Sequence, residues 1–202
     1  MKLVLLALAA AACSGNVTSS SRPAPAGSPP PSAAAATPAT PATPLGPSIY
    51  DLPVRLVDAH GHASGLDVAR GKPVLVTMFY GSCAVACPLL VSEVGQVLAE
   101  LPEPARRDVR VLLVSFDAAR DTPAHLAEIV RDRKLDARWT VAAANDADAR
   151  ALAAVLGFRY RALPNGEFAH GSTIVALDAE GRPIARTEAI GQRAPLLAAL
   201  AQ

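Results

Sequence analysis

Cys83 and Cys87 stand four residues apart in Tyr80-Gly81-Ser82-Cys83-Ala84-Val85-Ala86-Cys87-Pro88. Side chains at that spacing share one face of a helix or of its first turn. Two neighbouring thiolates can close a disulfide, or they can grip a soft metal ion such as Cu(I), Zn or an Fe–S cluster. A helix start at this point would also favour thiolate over thiol. The third cysteine, Cys13, lies far upstream, and three cysteines do not make a disulfide scaffold. The chain has four histidines to offer as further ligands. His125 falls in a predicted helix and reads as a solvated side chain. His60 and His62 flank Gly61 in a predicted turn. A His-Gly-His turn can bind metal, but the pair lacks a third ligand and is not assigned to the site. His170 precedes Gly171-Ser172 and an apolar run.

The elements that must position these residues follow from periodicity. Residues 52–57 alternate and read as a strand, and residues 58–65 supply turn types. Residues 74–80 are a continuous apolar run, which suits a strand buried on both faces. From Cys87 to Leu101 the apolar residues recur at helical spacing. Residues 109–116 make a second buried strand. Thr122 is a predicted N-cap with Pro123 at the first helical position, and that helix runs to about Arg133. Residues 139–141 read as a short strand. A helix from Asp146 stops at Gly157. Residues 173–177 and 183–186 flank Ala179-Glu180-Gly181 as a hairpin, and residues 193–200 close the chain as a helix. Strands alternating with helices, then a hairpin and a helix, predict an α/β thioredoxin-like fold with a central mixed sheet flanked by helices. In such a fold the loop entering the strand at 173 faces the cysteine-bearing turn. His170 can then complete a site of two thiolates and one imidazole.

Lys and Arg number 19 against 18 Asp and Glu, a formal net charge of +1, which gives no electrostatic case for nucleic acid. Met1-Lys2 and an apolar run over residues 3–12 are too short to span a bilayer and read as an export signal. Small residues followed by Cys13 resemble a bacterial lipoprotein signal, although Ala10 stands where such signals usually carry Leu. Residues 1–13 are therefore expected to be a signal peptide and lipobox. Residues 14–47, rich in Pro, Ala, Ser and Thr, are expected to be a disordered linker. The folded domain is expected over 48–202, exported to the periplasmic side of a bacterial membrane and lipid-anchored at Cys13.

Three segments together resemble the SCO/SenC family of copper-binding thioredoxin-fold proteins: VLVTMFYGSCAVACP around the cysteines, VSFDAARDTP at residues 114–123, and FAHGSTIVALDAEGRPI at residues 168–184. The separation of Cys87 and His170 also suits that family. The resemblance implies that Cys83, Cys87 and His170 bind copper, as Cu(I) or Cu(II). It implies a metallochaperone that works with other copper chaperones. Its partner would be the CuA-bearing subunit of cytochrome c oxidase or another copper or thiol target. The copper would be delivered there, or the target's thiols kept reduced. Ala84 and Val85 replace the Pro and Asp that often follow the first family cysteine, which removes a rigid residue and a nearby carboxylate. Asp117, Arg120 and Asp121 belong to the second segment. Asp117 is read first as a strand-end residue and second as an extra ligand.

The competing reading is a thiol-disulfide oxidoreductase in which Cys83 attacks and Cys87 resolves, with no copper role. Dedicated oxidoreductases of this fold more often carry Cys-x-x-Cys and a facing cis-proline. Here the spacing is Cys-x-x-x-Cys, and Ser172 stands just before the strand. A peroxidase would need Thr-x-x-Cys, which Tyr80-Gly81-Ser82-Cys83 does not supply.

Overall fold

The computed structural model describes residues 43–83 and 86–202. The expected signal, Cys13 and most of the expected linker lie outside the described residues. The last linker residues are already engaged: the Leu45 N–H donates to the Pro183 carbonyl at 2.6 Å.

A mixed seven-stranded sheet organises the chain. Its strands are β1 (Leu56–Asp58), β2 (Ala63–Ser64), β3 (Val74–Phe79), β4 (Arg110–Ser115), β5 (Trp139–Ala144), β8 (Ile174–Leu177) and β9 (Pro183–Thr187), in the order β2-β1-β5-β4-β3-β8-β9. Strands β3, β4 and β5 run parallel, and β8 pairs antiparallel to β3. The remaining two strands, β6 (Tyr160–Ala162) and β7 (Phe168–His170), form a separate hairpin. The helices are α1 (Ala86–Glu100), α2 (Glu103–Asp108), α3 (Pro123–Asp132), α4 (Asp146–Leu156) and α5 (Ala194–Leu200).

All six residues of β3 are buried, as a strand covered on both faces requires. Val74, Val76 and Met78 pack with Leu126 of α3 and Leu152 of α4, whereas Leu75 packs with Leu90 and Val94 of α1 and Leu196 of α5. The period-2 pleat of β3 therefore joins two core clusters. The expected cap at Thr122 and stop at Gly157 are present, and Asn145 supplies a further cap. Thr122 accepts from the His125 N–H, Asn145 accepts from the Asp148 N–H, and Gly157 takes the left-handed conformation that ends α4.

The structure departs from the sequence reading at several elements, among them β2, which falls inside the segment read as a turn. The first strand covers only Leu56–Asp58, because Pro53 removes a donor and Val54 packs into the core outside any ladder. Strand β5 runs three residues past Val141 through small alanines, which fit between β4 and β1. Helix α2 and the β6–β7 hairpin were not anticipated from periodicity, since six-residue and three-residue segments give almost no periodic signal.

Candidate metal centre

The two cysteines are placed by the end of β3 and the start of α1. Cys83 follows the strand by a turn, with its N–H donating to the Tyr80 carbonyl at 3.2 Å. Cys87 lies in the first turn of α1. Both are thiols and both are buried, 8 % and 3 % exposed. The Cys87 N–H donates to Cys83 Sγ at 3.3 Å, so the open end of the helix is directed at the first sulfur. Burial pushes the Cys87 thiol well above the usual thiol range, opposed by a backbone hydrogen bond near Tyr80 and by the nearby charge of Arg133. The expected lowering by the helix start is thus reversed at Cys87, because removal from water outweighs the helix terminus.

His170 arrives through sheet topology. Antiparallel pairing puts Ile174 opposite Thr77, so the chain entering β8 passes beside the strand end that delivers Cys83. Thr77 Oγ1 donates to the Thr173 carbonyl at 2.6 Å and locks that approach. His170 is not in a loop, as the sequence reading had it, but is the last residue of β7, paired with Tyr160. Its Nε2 lies 3.7 Å from Cys83 Sγ and 3.8 Å from Cys87 Sγ. Its Nδ1 lies 2.7 Å from the Gly171 carbonyl. A carbonyl only accepts, so Nδ1 carries the hydrogen and a neutral ring turns the Nε2 lone pair toward both sulfurs.

Tyr80 meets the His170 ring edge-on at 5.6 Å, and Phe158 stacks on it at 6.1 Å. The Tyr80 hydroxyl donates to Glu167 at 2.7 Å, which ties the β6–β7 hairpin to the end of β3. Burial and that hydrogen bond both raise the Tyr80 pKa. These aromatics fix the imidazole's orientation and keep water from its sides.

Among the described residues, Cys83, Cys87 and His170 are the one group of three His, Cys, Asp or Glu side chains close enough to share a metal, with their ligand atoms all within 4.8 Å of one another. The spacing fits a metal. Bonds of about 2.3 Å to sulfur and about 2.0 Å to nitrogen, at trigonal or tetrahedral angles, put N and S roughly 3.5–3.7 Å apart. His60 and His62 belong to no such group. Both of their N–H groups donate to Asp58 Oδ1 in an exposed turn. His125 pairs with Asp121 at 3.0 Å.

The second motif serves the loop rather than the ligand set. Asp117 pairs with Arg120, whose guanidinium lies over the Tyr80 and Phe168 rings at 5.9 and 5.5 Å. Asp121 carries the larger structural role. Its side chain is fully buried, and Oδ2 accepts from the Gly81 N–H at 2.8 Å and from the Ser115 hydroxyl. Any Cβ at Gly81 would run into the Asp121 carboxylate and the His125 ring, so only glycine lets the loop approach this closely. The sequence placed Asp121 in a motif without revealing that it grips the chain two residues before Cys83.

Fold and site together define a thioredoxin-like α/β protein with a buried dithiol and an imidazole at the strand ends. The SCO1/SenC family model matches residues 43–202, and the chain belongs to that family. A protein of Stutzerimonas stutzeri named "Putative copper-binding protein" is 27% identical over 73 residues, 36% of each chain, so the chain spans about a third of that relative's length in the match. A "putative electron transfer protein" of Aquifex aeolicus VF5 has a TM-score of 0.67 at 25% identity, covering 76% of this chain and 90% of that one. Bradyrhizobium japonicum ScoI with copper bound has a TM-score of 0.59 at 22% identity, covering 79% of this chain and 96% of that one. No helix among the described residues is long and apolar enough to cross a membrane.

Proposed function

We propose that this chain is an exported copper carrier whose Cys83, Cys87 and His170 hold the metal. The carrying observation is the convergence of two sulfurs and one lone-pair nitrogen in a buried, aromatic-walled site. Thiolates favour Cu(I), imidazole suits both copper states, and the small coordination number leaves room for a receiving ligand to enter. Copper is the cargo, so hand-on needs ligand exchange and no turnover. The copper bound by the Bradyrhizobium relative and the name of the Stutzerimonas relative support the reading. The receiving partner is the CuA-bearing subunit of cytochrome c oxidase, served by copper delivery or by keeping its thiols reduced. Residues 1–13 export the chain, Cys13 anchors it by lipid on the periplasmic side, and residues 14–47 act as a stalk for the domain.

Copper titration of the reduced chain and of Cys83→Ala, Cys87→Ala and His170→Ala tests this. The expected result is about one copper per reduced chain, with none retained by the disulfide form. His170→Ala should lose most Cu(II) affinity yet still form and exchange the Cys83–Cys87 disulfide. If His170→Ala supports oxidase assembly at limiting copper as well as the unaltered chain does, while Cys83→Ala does not, the copper reading fails and a thiol-disulfide reductase replaces it.

A further inference from the structure

A groove of about 590 Å³ runs between α1 and the chain leaving α3. Val91, Leu98 and Trp139 give it an apolar floor. Its other lining includes four cations, Arg106, Arg133, Lys134 and Arg138, and no carboxylate. That concentration is notable in a chain of net charge +1. Arg106 is already held by the Leu101 carbonyl and by Glu103, and Arg138 by Asp136. Arg133 and Lys134 have no ion-pair or side-chain hydrogen-bond partner among the described residues.

Two local choices along this groove work against stability. Gly95 sits in the middle of α1, where glycine is poorly suited, and nothing lies within 4 Å of the position its Cβ would take. A side chain there would meet no obstacle and would occupy the groove. Lys134 has φ 52°, the left-handed conformation that favours glycine. It follows the α3 C-cap Arg133 as the turning residue of a Schellman motif, with the Lys134 N–H bonding to Arg131 and the Leu135 N–H to Val130. A lysine is thus kept where glycine would relax the backbone, and a glycine where a side chain would strengthen the helix. Local rules broken without a packing gain concentrate at functional surfaces.

We propose that this groove docks an acidic, apolar-containing peptide segment of a partner protein. The charge of its rim selects carboxylates. The concavity selects a chain that can lower side chains onto the floor, which a flat lipid surface cannot do. The groove begins at Val91, one helical turn from Cys87, and Arg133 lies near enough to act electrostatically on that sulfur. A segment seated here holds its parent protein beside the dithiol. That the parent exchanges copper rests on the reading above; that acidic chain binds here does not.

Trp139 is the chain's single tryptophan and lines the groove, so its emission reports occupancy directly. The probe is a blocked octapeptide of alternating Glu and Leu, titrated into the full reduced chain. The expected result is saturable change in Trp139 emission, weakened as salt rises. Arg133→Glu with Lys134→Glu should weaken binding at least about tenfold, the loss of two charge pairs in a partly desolvated groove. Gly95→Leu should abolish binding while its melting temperature is unchanged or higher, which separates blockage from misfolding. The proposal is overturned if the peptide leaves emission unchanged at millimolar concentration, if a Lys–Leu octapeptide binds equally, or if the charge-reversed chain binds as before. It is also overturned if phosphatidylglycerol vesicles, and not the peptide, move the emission. Copper titration of the same samples reports on Cys83, Cys87 and His170 alone, so either reading can fail without the other.

Discussion

A hydrogen bond to the adjacent carbonyl of Gly171 decides which nitrogen of His170 meets the sulfurs, and a buried carboxylate decides where the cysteine loop sits. Asp121 is the more testable of these two supports. Removing its carboxylate leaves the Gly81 N–H and the Ser115 hydroxyl without an acceptor in a dry environment. Asp121→Ala is therefore expected to cost about 2–4 kcal/mol in urea unfolding and to weaken copper binding, whereas Asp117→Ala should leave copper affinity within about twofold. Tyr50 supplies a pH dependence. Burial raises its pKa to about 12, with Arg70 opposing and Asp178 assisting. The folded state therefore holds the phenol proton more tightly than the unfolded chain does. Its stabilisation is complete below pH 10, the unfolded value, and is lost as pH climbs through about 12. The loss should reach about 1–2 kcal/mol, less than the full linkage because the ring is only partly buried. Tyr50→Phe should lose correspondingly less stability between pH 9 and 12.

At the scale of elements, the final helix is held to α1 by charge as well as by Leu196 and Leu200. Glu93 is 4 % exposed on the core side of α1, where it accepts from the Gly191 N–H at 2.7 Å and pairs with Arg193 at 3.0 Å. Arg193 also reaches Glu100 at 3.0 Å. Breaking a buried pair by removing one partner exposes the desolvation cost of the other. Glu93→Ala is expected to destabilise by about 2–4 kcal/mol, discounted because Arg193 remains partly solvated. Hydrogen exchange should show α5 losing protection before β3 and β4. Unchanged exchange in α5 would mean that apolar packing alone holds it. At the end of α3 the expected change has the opposite sign: Lys134→Gly should raise stability by about 1 kcal/mol, since glycine adopts the left-handed conformation freely.

For the whole molecule, residues 14–42 are expected from their composition to bury too little apolar surface to offset ordering entropy. Deleting them is expected to leave the melting temperature unchanged within about 2 °C, while deletion through Pro47 should lower it by removing the Leu45 bond to Pro183. A fall of many degrees on the shorter deletion would show that the segment packs on the domain.

The sequence by itself determined the parts governed by local periodicity and local chemistry. Buried β3 and β4 read as unbroken apolar runs, α1 as a 3.6-residue stripe, α3 from its start at Thr122-Pro123, α4 from Asp146 to its stop at Gly157, and the cysteine pair as neighbours on one helical turn. His170 was legible through motif and position, because a strand predicted at residue 173 had to enter beside the cysteine turn. Only the tertiary structure decided what depends on contacts between distant segments. The seating of the His170 ring against Tyr80, the hold of Asp121 on Gly81, and the nearness of Arg133 to Cys87 arise across separations of dozens of residues. No window of sequence reports burial or the direction of a side chain across such distances. The groove lined by Arg133 and Lys134 was hidden for the same reason: Gly95 and Lys134 become meaningful only when folding sets α1 beside the end of α3.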